Sequence, residues 1–121
     1  MRILLIEDEP TTAKGIELML SVERFNVYTT DLGEEALDLG KLYDYDIICL
    51  DLSLPDMNGY DVARLLRSEP CGQDAILVAV TGWGQDKDRQ MASDAGFDLH
   101  LTKPVDFYEL DAVLQKMLQA E

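Results

Sequence analysis

The sequence predicts an α/β fold: a doubly wound parallel sheet of five β-α units in strand order 2-1-3-4-5. Short apolar runs alternate with amphipathic segments from end to end, the pattern of strands joined by crossover helices. The runs are almost continuous in Ile, Leu and Val instead of alternating with polar residues, as strands covered on both faces require. Right-handed crossovers leave few topologies, and this order sets the first and third strands side by side at the centre.

Arg2 to Ile6 reads as the first strand, followed by Glu7-Asp8-Glu9. Pro10 opens a helix that runs to about Glu23, since proline suits a first turn whose N–H groups have no helical partner. Ile16, Met19 and Leu20 form its inner face. Asn26 to Thr30 is the second strand. Leu32-Gly33-Glu34-Glu35 begins a second helix with Ala36, Leu37 and Leu42 as apolar positions. After Tyr43-Asp44-Tyr45-Asp46 comes the third strand, Ile47-Ile48-Cys49-Leu50, which ends in Asp51 and a turn rich in Pro, Asp, Asn and Gly. Gly59 to Ser68 is a helix with Val62, Leu65 and Leu66 inward, broken by Glu69-Pro70-Cys71-Gly72. Ala75 to Val80 is the fourth strand, leading into Thr81-Gly82. Asp86 to Ala95 is a polar helix whose few apolar positions include Met91 and Ala95, with Gly96 as its stop. Asp98 to Leu101 is a short fifth strand ended by Lys103-Pro104. Asp106 to about Leu118 is the last helix, with Leu110, Val113, Leu114 and Met117 inward. No repeat, linker or low-complexity stretch interrupts this series, so residues 1–121 read as one domain.

The formal charge is −14, from 24 acidic against 10 basic residues. Such a surface repels phosphate backbones and anionic lipid, so neither direct nucleic-acid binding nor membrane binding is expected. A basic protein partner or a cation is the complementary expectation. The two cysteines, Cys49 in the central apolar run and Cys71 in a loop, belong to no metal-ligand spacing. No signal peptide or membrane-spanning run is apparent, and a reduced, cytoplasmic compartment is the expectation.

Chemistry-bearing residues stand where the strands end. The first strand delivers Glu7 and Asp8, the third Asp51, the fourth Thr81 and the fifth Lys103. Neighbouring strands in the expected order bring these side chains to one pocket at the carboxyl edge, where open α/β sheets bind ligands. Singly, each has an ordinary reading: Asp51 as a turn starter, Asp8 as a helix cap, Thr81 as a strand end, Lys103 as a surface lysine. Their joint placement favours a site. Three adjacent carboxylates repel one another and suit a hard cation such as Mg2+. Lys103 supplies a point charge and Thr81 a hydroxyl donor, and a carboxylate can act as a nucleophile toward phosphorus.

The segments Ile6-Glu7-Asp8-Glu9, Leu50-Asp51-Leu52-Ser53-Leu54-Pro55-Asp56-Met57-Asn58-Gly59, Val80-Thr81-Gly82 and Thr102-Lys103-Pro104 together resemble the response regulator receiver domain of bacterial two-component systems. That resemblance implies a flavodoxin-like fold. It also implies that Asp51 is the phospho-acceptor, fed by a histidine kinase or a histidine phosphotransfer protein. Asp8, Asp51 and the backbone carbonyl of Ser53 would hold Mg2+, with Glu7 acting through water. Thr81 would move to the phosphoryl group, Lys103 would pair with it, and the Lys103–Pro104 peptide would be cis. The chain would be a self-phosphorylating and self-dephosphorylating switch that controls an output protein, not an enzyme acting on a metabolite. Gly82 would leave room for the phosphoryl group, and the bulk of Trp83 would slow hydrolysis.

Two departures from that pattern stand out. His100 occupies the place, three residues before the lysine, where the family carries Tyr or Phe. It reads either as an exposed stand-in or as a pH-sensitive part of the switch. Residues 1 to about 61 resemble receivers of alphaproteobacterial cell-cycle transcription regulators, whereas the part from Thr81 onward is more similar to receivers of hybrid sensor kinases or stand-alone ones. A natural mosaic and an engineered chimera both give that pattern. The acidic-aromatic fifth strand and basic last helix that support receiver dimers are missing, so a monomer is expected, with at most a weak dimer on phosphorylation. Alternatives to the switch are an inert scaffold and a Mg2+-dependent hydrolase with an Asp nucleophile. Against the hydrolase, Ser53 stands where such an enzyme carries a second acid.

Overall fold

Each apolar run forms a strand. The computed structural model describes residues 2–22, 25–69, 73–82, 94–103 and 105–119. The strands are β1 (Arg2–Ile6), β2 (Asn26–Thr30), β3 (Ile47–Asp51), β4 (Ile76–Thr81) and β5 (Leu99–Thr102). They form one sheet in the order β2-β1-β3-β4-β5, with every pair parallel. The described helices are α1 (Pro10–Val22), α2 (Gly33–Leu42), α3 (Gly59–Ser68) and a C-terminal helix, Phe107–Gln119. Residues 86–93 of the expected helix and the side chains of Val113 and Met117 lie outside the described residues.

Strand parity sorts the core into two layers. Leu4, Ile6, Ile48, Leu50, Leu77 and Ala79 face one way, against Ala36 of α2 and Val62, Ala63 and Leu66 of α3. Ile3, Leu5, Ile47, Cys49, Val78 and Val80 face the other, against Ala13, Ile16 and Leu20 of α1 and Leu110 and Leu114 of the C-terminal helix. Successive strand residues point to opposite faces, so strands buried on both must be apolar at every position. Cys49 packs here as a small apolar residue, and burial pushes its thiol up to about 12.

The strand ends differ from expectation by a residue. β4 and β5 each run one residue further, because Thr81 pairs with Thr102 and the Lys103 N–H reaches the Thr81 carbonyl at 2.7 Å. One inward assignment is corrected, and one apolar position proves exposed. Leu65 is 45 % exposed, because the buried stripe of α3 is Gly59, Val62, Ala63 and Leu66, and Leu65 lies a helical step to its side. Leu42 is 71 % exposed at the last position of α2, whose buried face is the small-residue set Gly33, Ala36 and Gly40.

Long-range polar contacts fix the loops. Arg67, near the end of α3, donates to the Ala75 carbonyl at 2.7 Å, to the Gly96 carbonyl at 2.9 Å and to Asp98 Oδ2 at 2.6 Å. Asp98 Oδ2 also accepts the Leu77 N–H at 2.9 Å. Gly96 has the left-handed backbone that suits a helix stop: its φ of 102° is open to glycine, and a Cβ there would press on Arg67 Cγ at 3.3 Å.

Burial predicts a sharp contrast on α3. Leu66→Ala should lower folding stability by about 2–5 kcal/mol in urea unfolding, and Leu65→Ala by less than about 1 kcal/mol. Equal losses would show that the stripe has been misplaced.

Candidate functional site

The carboxyl ends of the central strands make a polar pocket. Glu7 follows β1 and is buried; its N–H bonds the Thr30 carbonyl at 2.9 Å, continuing the β1–β2 ladder. Asp51 closes β3 and is buried too. Its Oδ1 accepts the Ser53 N–H at 2.9 Å. Lys103, just past β5, reaches over the end of β4 to both, with Nζ 2.8 Å from Glu7 Oε1 and 3.0 Å from Asp51 Oδ2. Thr81 is buried at the end of β4, between Asp51 and Lys103 in strand order. Ligand oxygens of Glu7, Asp8 and Asp51 lie within 4.8 Å of one another.

Asp8 is the exposed member of that trio, and it is not the helix cap. Glu9 takes that role. Its carboxylate accepts the N–H groups of Thr11 at 3.1 Å and Thr12 at 2.6 Å, and its carbonyl accepts the first helical bond from Ala13. The Thr12 hydroxyl, which donates to Oε2 at 2.7 Å, and these N–H groups hold the Glu9 carboxyl below its ordinary range. Asp8 is thereby left to the pocket.

The charges do not balance. Burial first, with the nearby Asp51 charge, raises Glu7 to about 7 against the pull of Lys103. Burial and the contact with Asp51 also raise Asp8. For Asp51 burial acts in the same direction, yet the Ser53 N–H, Asp8 and Lys103 outweigh it and the carboxyl stays low. For Lys103 burial opposes the charge, and the hydrogen bonds to Glu7 and Asp51 outweigh it. One ammonium thus faces three carboxylates. Glu7 Oε2 is buried with no hydrogen-bond partner among the described residues. An orphaned carboxyl oxygen beside two further carboxylates fits a hard divalent cation, so Glu7, Asp8 and Asp51 are the side chains able to hold one.

Other residues singled out in the sequence fall around this pocket. Ser53 is exposed and bridges to Asn58. Among the described residues, a Cβ on Gly82 would meet nothing within 4 Å. His100 sits on β5 opposite Ala79 and is half-buried, not exposed. Trp83, Cys71 and the Lys103–Pro104 peptide bond, with Pro104, lie outside the described residues. Sequence reading missed the roles of Glu9, Arg67 and Asp56. Only the first had a local signal, an acid immediately before Pro10.

Residues 3–115 match the response regulator receiver domain as a family. The chain belongs to that family. Over 119 residues the receiver domain is 50 % identical to the cell cycle response regulator CtrA of Brucella ovis, and equally to that of Brucella canis, covering 98 % of this chain and 50 % of each relative. The chain thus spans about half the length of the curated relatives it matches. Among solved structures it resembles the receiver domain of the Pseudomonas aeruginosa sensor histidine kinase PA1611, which has a magnesium ion coordinated in its active-site cleft. That likeness has 31 % identity and a TM-score of 0.89, over 98 % of this chain and 97 % of the other. A receiver domain from Methylobacillus flagellatus aligns at 29 % identity with a TM-score of 0.84, over 97 % and 98 %. Among the described residues no helix is long and apolar enough to cross a membrane.

The raised Glu7 carboxyl gives the metal-free receiver a signed pH dependence. Folded, it keeps its proton to about 7; unfolded, it loses it near its ordinary 4.5. In that window the folded state binds more protons, so stability falls as pH rises. The raised Asp8 adds to the decline from its ordinary 3.8 upward, whereas the lowered Asp51 acts below its ordinary 3.8, outside the window. Urea midpoints measured in chelator should decline from roughly pH 4.5 to 7 in the wild type, and Glu7→Gln should flatten that decline. Parallel curves would mean that Glu7 is ionised throughout.

Proposed function

We propose that this receiver accepts a phosphoryl group on Asp51 from a phosphorylated histidine of a kinase or phosphotransfer protein, and answers by changing conformation toward an output protein. The observation that carries this reading is the shared contact of Lys103 with Asp51 and Glu7 beside exposed Asp8. It supplies a nucleophilic carboxylate, a fixed positive charge and an anionic cradle for a cation in one pocket.

In the reaction a carboxylate oxygen of Asp51 attacks phosphorus. The P–N bond to the donor imidazole breaks, its electron pair returns to the ring nitrogen, and an acyl phosphate forms. Asp51 suits this task because its carboxyl stays ionised despite burial. Lys103 already contacts Asp51 Oδ2 and would transfer that contact to a phosphoryl oxygen as charge builds there. The Ser53 N–H on Oδ1 orients the carboxylate. Thr81 offers its hydroxyl from the adjacent strand end and is the proposed moving part, with His100, opposite Ala79 on β5, as the second proposed part of the switch. Asp8, Asp51 and the Ser53 carbonyl would ligate Mg2+, and Glu7 would act through water. The ion would neutralise the phosphoryl oxygens and so allow two anions to approach.

Incubation with Mg2+ and a small phosphodonor should add one phosphoryl group, detected by mass and sensitive to hydroxylamine, as an acyl phosphate is. Asp51→Asn should abolish it. Lys103→Ala should slow it on the order of 10²–10³-fold, as loss of one preorganised charge-stabilising donor does. Two-dimensional NMR with beryllofluoride should shift Thr81 and His100 in the wild type only. Unchanged labelling of Asp51→Asn would overturn the assignment, and labelling without any shift would leave a phospho-acceptor that does not switch.

A further inference from the structure

The acceptor loop and α2 are joined by a contact that no local pattern specifies. α2 begins at Gly33, and its N-cap residue, Leu32, has extended backbone and gives no side-chain hydrogen bond to the helix. The cap comes from the far side of β3. Asp56 Oδ1 accepts the Gly33 N–H at 2.9 Å, and Oδ2 accepts the Glu34 N–H at 3.0 Å. Two backbone N–H groups at the positive end of a helix are a strong anchor for a carboxylate. They hold Asp56 below its ordinary range although the side chain is exposed. The packing is close as well: a Cβ on Gly33 would lie 2.9 Å from Val62 Cγ2 and 3.2 Å from Met57 Cβ.

Asp56 stands at the tip of a short hairpin. Ser53 and Asn58 form an antiparallel bridge, and the Gly59 N–H reaches the Leu52 carbonyl at 3.3 Å. The base is held by the Leu52 N–H on the Val80 carbonyl at 3.1 Å. Gly59 leaves no slack, since a Cβ there would lie 2.6 Å from Leu52 Cα. Among the described residues, the hydrogen bonds that tie residues 54–57 to the body of the fold are the two made by Asp56.

We infer that Asp56 is a positioning residue for phosphoryl transfer: capping α2 from across the fold, it braces the 52–58 hairpin and so sets Ser53, whose N–H rests on Asp51. The inference rests on the reading of the site given above, in which the Ser53 carbonyl is a metal ligand. Asp56 itself touches neither metal nor phosphate. Its effect passes through the hairpin.

A plain helix cap and a positioning residue are separable by moving the cap. Leu32 already has N-cap backbone geometry and is 39 % exposed, so Leu32→Asp gives α2 a cap of its own. Three proteins are compared: wild type, Asp56→Ala, and Asp56→Ala with Leu32→Asp. Mg2+ affinity is titrated by NMR, the thermal midpoint is measured, and amide exchange at Ser53 and Gly59 is followed without metal. Asp56→Ala should weaken Mg2+ binding about tenfold, the scale of lost outer support around a metal ligand, and speed exchange at both amides. The double variant should regain the midpoint while Mg2+ affinity and exchange stay impaired. Recovery of all three together would reduce Asp56 to a helix cap and overturn the inference, as would an unchanged affinity in Asp56→Ala. Should the double variant not regain its midpoint, faster exchange confined to the hairpin supports the inference, and a uniform increase that includes Leu50 overturns it. A wild type that binds no Mg2+ would instead sink the functional reading, and the metal-free exchange would still decide whether Asp56 braces the loop.

Discussion

One lysine against three carboxylates is the constraint around which the pocket is built. Lys103 spans two buried acids, Glu7 at the end of β1 and Asp51 at the end of β3, at 2.8 and 3.0 Å. Buried charges persist only when paired, and removing one partner strands the other. The pairing needs the observed strand order, since β1 and β3 must be neighbours and β5 must lie close enough for a lysine stem to cross the end of β4. Even so, the pocket remains short of positive charge, a shortfall that a cation would make good.

The apolar core and the polar pocket follow from one another. Strands covered on both faces cannot carry charged residues along their length, so the first polar positions are the residues beyond their ends. Here they are Glu7, Asp51, Thr81 and Lys103, each at or just past the last residue of its strand. At the opposite end of the sheet the polar contacts are structural. Arg67 and Asp98 satisfy the carbonyls of Ala75 and Gly96 and the Leu77 N–H, which locks the end of α3 to the start of β4.

The strand order and the pocket were legible because both rest on strong local signals: unbroken apolar runs, and acids, a threonine and a lysine where those runs stop. Helix faces were less so. Leu65 and Leu42 are as hydrophobic as their buried neighbours, and only the helix azimuth and the small buried face of α2 separate them. In the sequence Asp8 was the residue that offered itself as a cap. The turn geometry at Pro10 assigns the cap to Glu9. Asp56 reads locally as a turn residue, and its partners lie 22 and 23 positions away. A hydrogen bond of that span leaves no periodic trace in a single sequence.

Burial divides labour among residues of one chemical kind. Glu7 and Asp51 are nearly sealed, while Asp8 faces solvent. A sealed carboxylate loses water's screening, so its ionisation responds strongly to whatever stands beside it. Asp51 has the Ser53 N–H and an ammonium and stays ionised; Glu7 shares that ammonium, but burial and the neighbouring Asp51 charge prevail and raise it to about 7. An exposed carboxylate can release water and take up a cation without an opening of the fold, which is the property Asp8 brings. The net charge of −14 adds a long-range attraction for cations that salt screens, whereas the contacts inside the pocket are protected from that screening. Within one acidic trio, depth separates exposed Asp8 from the two sealed carboxylates, and the groups beside them separate Glu7 from Asp51.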